Sequence, residues 1–141
     1  MSTIVDIADA VVESLNGGTF SQTFIAQRLY QPTFDLSEMD TLHISVVPKS
    51  MTVESAARDG TFHDCAVDIG IQKKVSDDPA QIDALMDLAE EISDHLKMRR
   101  LEGLPGAVWL SIQNEPVLAR EHLEQMRQFT SVLTVVYRVK R

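Results

Sequence analysis

Cysteine is almost missing from this sequence. The one thiol in 141 residues, Cys65, excludes an intrachain disulfide, as expected of a protein from a reducing compartment. Long apolar runs are missing too. Nothing approaches the roughly 20 residues that span a bilayer, so no membrane partner is expected. The opening MSTIVDIADAVV has no leading Lys or Arg and carries Asp6 and Asp9, so no secretory leader is expected. Positive charge is scarce: 13 bases face 21 acids, for a net charge of −8. Duplex binding relies on Lys and Arg neutralising phosphates, so tight DNA binding is disfavoured. The bases fall in short groups at element ends, of which Lys97, Arg99 and Arg100 form a candidate surface charge patch. Its plainer reading is a solvated helix end.

Catalytic signatures are also missing. The four histidines, His43, His63, His95 and His122, show no HExxH or HxH spacing. No GxGxxG, GxxxxGK[ST] or GxSxG is present. In the stretch HDC, a strand would turn His63 and Cys65 to one side and Asp64 to the other. Cys65 would then sit on an apolar face and behave as a small hydrophobe. Asp83, Asp87, Glu90, Glu91 and Asp94 recur at spacings that let carboxylates share a cation, but a solvated helix face looks the same. No catalytic, cofactor-binding or metal residue is therefore assigned.

What is present is clear periodicity. TIVDIADAVVESLNGG places Ile4, Ile7, Ala8, Val11, Val12 and Leu15 at helical spacing. Ser2 or Thr3 is its expected cap, and Asn16-Gly17-Gly18 its stop, through a left-handed glycine. TFIAQRLYQPTF reads as a strand broken by Pro32, and DTLHISVVP as a strand ended by Pro48. Residues 49–60 are weakly patterned and read as a short irregular arm, with Asp59-Gly60 as a hairpin turn. HDCAVDIGIQKKV alternates Cys65, Val67, Ile69 and Ile71 against Asp64, Ala66, Asp68, Gly70 and Gln72, giving one buried and one wet face. A second helix is expected over residues 77–100, capped by Asp78, opened by Pro79 and finished by the basic group. AVWLSIQNEP and FTSVLTVVYRV read as strands, while LAREHLEQMRQ allows helix, strand or loop. The expected fold is α+β: a mainly antiparallel (mixed) sheet with two helices packed on one face, in a single domain over residues 1–141.

IADAVVESLN, LHISVVPKS, FHDCAVDIGIQKKV, QIDALMDLAEEISDHL and RQFTSVLTVVYRV, in this order, resemble the phage tail terminator (tail-completion) proteins and their neck relatives. The likeness is one of pattern and order over nearly the whole chain. Residues 115–128 lack a counterpart. It implies a self-assembled ring, typically a hexamer, that caps the tail tube, halts polymerisation of the tube protein and offers a surface to head-tail connector proteins. DNA would pass through the lumen without specific binding. Such a protein would be found in the host cytoplasm during assembly and then in the virion. The polar arm supplies candidate assembly residues: Lys49, Ser50, Met51, Glu54, Arg58 and Asp59. Three alternatives stand beside this reading. One is a different head-tail connector or neck component. Another is a small hydrolase or ligand-binding domain with His43, Asp64, Asp68 and Gln72 lining the open sheet face. The last is a toxin–antitoxin-like or adaptor dimer.

Overall fold

Helix α1, Thr3–Asn16, forms where the periodicity predicts it and buries Ile7, Ala8, Ala10, Val11 and Leu15. The structure, a computed structural model, describes residues 3–30, 41–76 and 78–141. The proposed Ser2 cap, Pro32 with the second half of its strand, and Asp77 lie outside the described residues. No glycine takes a positive φ. Helix α1 instead ends through a bond from Gly17 N–H to Glu13 O (3.0 Å), followed by one from Gly18 N–H to Leu15 O (3.2 Å). A left-handed glycine is therefore not what stops it. The Asn16 side chain then receives the Ala26 N–H (2.7 Å) and donates to the Ala26 carbonyl (3.2 Å). That bracket pins β1, which is only Ala26–Arg28, shorter than its sequence suggests.

The sheet has five strands in the order β1-β2-β3-β5-β4. β1 runs parallel to β2, and the remaining pairs are antiparallel. β2 spans His43–Ala57 and β3 spans Gly60–Lys74, each 15 residues long. β4 is Val108–Asn114 and β5 is Gln128–Lys140. The register sets Cys65 opposite Tyr137, Val67 opposite Val135 and Ile69 opposite Leu133. All six are at most 1% exposed. Each fully buried aliphatic side chain of this kind contributes about 1.5–3 kcal/mol.

Helix α2, Pro79–Leu96, begins as expected, with the Asp78 carboxylate accepting from Ala80 N–H and proline in the first turn. It adds Leu85, Leu88, Ala89, Ile92 and Leu96 to the same core as α1, so these two helices cover one face. The helix ends at Leu96, so Lys97, Arg99 and Arg100 follow it rather than forming its last turn. The ambiguous LAREHLEQMRQ contains a short helix, α3, Arg120–Met126. His122 on α3 bonds Thr130 through Nδ1 and Oγ1 (2.8 Å). Leu123 of α3 packs against the edge of the same core.

Two further expectations need correction. Residues 49–57 are not an irregular arm: β2 continues through Pro48 and pairs with β3 to the turn. Proline is tolerated there because the ladder shifts register between Pro48 and Ser50 and because β1 does not pair beyond Val46. The face of β3 read as wet is largely covered, with Ala66, Gly70 and Gln72 buried and Asp64 and Asp68 half-buried. β3 is the central strand, so side chains from β2 and β5 close over it from both sides.

Candidate assembly surface

Strands of 15 residues are long for a domain of this size. At about 3.4 Å per residue the β2–β3 hairpin reaches about 50 Å. Ala57 pairs with Gly60, leaving Arg58 and Asp59 as the two-residue turn. The turn thus sits one residue earlier than Asp59-Gly60. Beyond Val46, no strand among the described residues pairs with the outer edge of β2. The hairpin is nevertheless not floppy by construction, because β5 follows β3 almost to the turn. Thr61 and Arg141 exchange two backbone bonds, 2.7 and 2.8 Å.

The candidate arm residues all fall on this hairpin. Lys49 is exposed at the register shift and reaches the Asp68 carboxylate at 3.8 Å. Ser50, Glu54, Arg58 and Asp59 are exposed. Met51 and Val53 stand opposite Cys65 and His63 on the face that elsewhere is core, yet they are 47% and 51% exposed. The apolar face therefore continues past the cover given by the helices. Strand edges are normally blunted by charged residues or covered, and here two apolar side chains are left uncovered.

The opposite face of the hairpin is held by a charged cluster. Arg138 donates to both Asp64 carboxylate oxygens at 2.7 and 2.9 Å and lies over the Phe62 ring at 4.4 Å. The Arg138 hydrogen bonds hold Asp64 below the usual carboxylate range, against a smaller upward push from burial. Asp68 accepts from Thr134 at 2.6 Å. These contacts bear on the ligand-pocket alternative. His43 and Gln72 are indeed paired neighbours, but Gln72 is buried and both carboxylates are already engaged. Cys65 is fully buried, and burial first, then the Asp64 charge, pushes its thiol pKa up, the reverse of an activated nucleophile. Among the described residues no group of three or more His, Cys, Asp or Glu is placed to hold a metal, and no helix is long and apolar enough to cross a membrane.

The second candidate patch sits at the other helix end. Lys97 pairs with Asp94 at 3.5 Å, and Arg99 Nε donates to the His95 carbonyl at 2.7 Å. A cavity of about 350 Å³ opens beside Arg99 and Arg100, lined also by Met98, Ala107, Val108 and Trp109. The sequence reading missed Met98, Val108 and Leu110, which are 81%, 58% and 38% exposed. The signal was available in VWL, where apolar residues run consecutively instead of alternating, as on an edge strand with a partly covered outer face.

No family model and no curated protein matches this sequence. A solved structure does. The fold is similar to the sheath/tube terminator of an extracellular contractile injection system, PVC, determined by cryo-EM in the extended state. The TM-score is 0.52 at 18% identity, and the likeness covers 100% of this chain and 57% of that one. The chain thus spans little more than half the length of the terminator it matches.

Proposed function

We propose that this chain is a terminator-type structural subunit of a phage or phage-like tail. Copies associate into a ring, a hexamer, that sits on the end of the tail tube and stops addition of tube protein. The outer face of the ring then offers the surface for joining to head-side connector proteins. The observation that carries this reading is the fold likeness to a sheath/tube terminator over the whole chain. The unsheltered apolar residues Met51 and Val53 on a long hairpin give it a contact surface. In this reading the arm residues Lys49, Ser50, Met51, Glu54, Arg58 and Asp59 meet a neighbouring subunit or the tube. A net charge of −8 suits a lumen through which DNA passes, because fixed positive charge would hold phosphates. The protein would act in the host cytoplasm during assembly and remain in the virion.

The test is the solution mass across a concentration series, alone and with tail tubes present, with electron microscopy of the largest species. The reading expects a hexamer-sized particle with a central hole. A strict monomer under both conditions would overturn it.

A further inference from the structure

Two surfaces on this chain carry opposite charge, although Glu13 and Glu102 also line a pocket beside the basic one. At one, Arg100 makes no ion pair among the described residues, and Arg99 spends its Nε on a helix carbonyl. These two guanidinium groups border the cavity of about 350 Å³ whose walls include Met98, Val108 and Trp109. The surface therefore combines exposed apolar side chains with two cations.

The second surface is a groove of about 390 Å³ along α2, lined by Ser21, Ala84, Asp87, Glu90, Glu91 and Asp94. Glu91 is occupied by Ser21, and Asp94 by Lys97. Asp87 and Glu90 make no ion pair among the described residues. Each surface supplies what the other lacks, and they are different patches of one chain.

We propose that the Met98–Trp109 cavity docks the acidic face of α2 from a second copy. Arg99 and Arg100 then meet Asp87 and Glu90 of the neighbour, while Met98 and Val108 cover the small Ala84 in the groove. Contacts between two different patches are heterologous, the kind that closes a ring when the rotation per subunit divides the circle. A nucleic acid is a poorer occupant, because two arginines set among apolar side chains offer no track for a phosphate backbone and the whole chain is acidic. The inference rests on the ring reading above and names the interface that would build it.

Charge reversal tests it. One variant carries Arg99→Glu with Arg100→Glu; the other carries Asp87→Lys with Glu90→Lys. All four positions are exposed, so circular dichroism should show the wild-type fold and melting should stay cooperative, with a modest loss where Arg99→Glu gives up its bond to the His95 carbonyl. Sedimentation should show each variant alone losing association by at least ~100-fold, since like charges would face each other. An equimolar mixture should recover it, because both kinds of contact between unlike variants are complementary. Association of either variant at wild-type strength overturns the inference and leaves the ring reading standing. Folded variants whose mixture stays monomeric overturn it as well. Wild-type protein that stays monomeric both alone and with tail tubes removes the ring reading and this contact together.

Discussion

Tyr137 is wholly buried, and its hydroxyl finds no hydrogen-bond partner among the described residues. Burial accordingly pushes its phenol pKa well above the ordinary value. Removing an unpaired buried hydroxyl while keeping the ring should stabilise the fold, by about 1 kcal/mol for Tyr137→Phe. Tyr137→Ala, which empties the ring's volume, should cost about 3–5 kcal/mol. Urea denaturation of both variants checks the pair, and a destabilised Tyr137→Phe would show that the hydroxyl has a partner. His95 gives a pH signature. Burial, helped by the Arg99 charge, holds its pKa below the ordinary value, against the pull of its bond to the Ser14 carbonyl at 3.1 Å. The unfolded chain therefore takes up the proton more readily than the native one. This contribution is fully present above the unfolded pKa, about 6.5, and is lost as pH falls from there toward the lower folded value. Melting temperatures between about pH 7.5 and 5.5 should fall more for the wild type than for His95→Gln. Equal slopes would show that His95 is not the group responsible. Cys65 was readable as a core residue from alternation alone. His95 was not, because its burial against Phe20 (ring centroids 5.2 Å apart) comes from a loop 70 and more residues away in sequence.

Among the elements, the β2–β3 hairpin separates what a sequence shows from what it hides. Ile44, Val46, Val67, Ile69 and Ile71 announce a half-buried sheet by period alone. The continuation through Pro48 into MTVESAA does not, because its strand state depends on pairing with β3, which follows in the chain and is itself held by the distant β5. Helix α2 shows the same limit in reverse. Its start is written in Asp78-Pro79, but its end at Leu96 is followed by Met98 at a positive φ of 57°, a turn that helix-forming residues conceal. The segment expected to be an irregular arm is paired strand instead. That changes how it is best removed. Deleting residues 50–59 would strip β3 of its partner. Replacing Glu54–Phe62 with Asn-Gly keeps the Val53–His63 pair and closes it with a favoured two-residue turn. The shortened protein should melt cooperatively but fail to assemble, as read by circular dichroism and size-exclusion chromatography. Assembly at wild-type strength would take the hairpin tip out of the interface.

At the scale of the whole molecule, composition speaks to partners more than to fold. An excess of acids predicts that the isolated protein binds duplex DNA more weakly than ordinary non-specific binders, whose Kd is about 10⁻⁴–10⁻⁶ M. Fluorescence anisotropy at physiological salt should show no binding in the micromolar range. Tight, salt-sensitive binding would contradict a lumen that lets DNA pass. The α+β layout, the core under α1 and α2 and the terminator-like order of elements were legible in the order of periodic segments. The two unpartnered surfaces were not, because exposure of Met51, Val53, Met98 and Val108 appears only once helices and neighbouring strands are in place.

The central claim is that this protein ends a tail tube, and the most direct measurement is tube growth itself. Tail tube protein is polymerised with and without the chain, and tube lengths and ends are imaged by electron microscopy. The account predicts shorter tubes carrying ring density at one end only. Tubes of unchanged length with bare ends would contradict it.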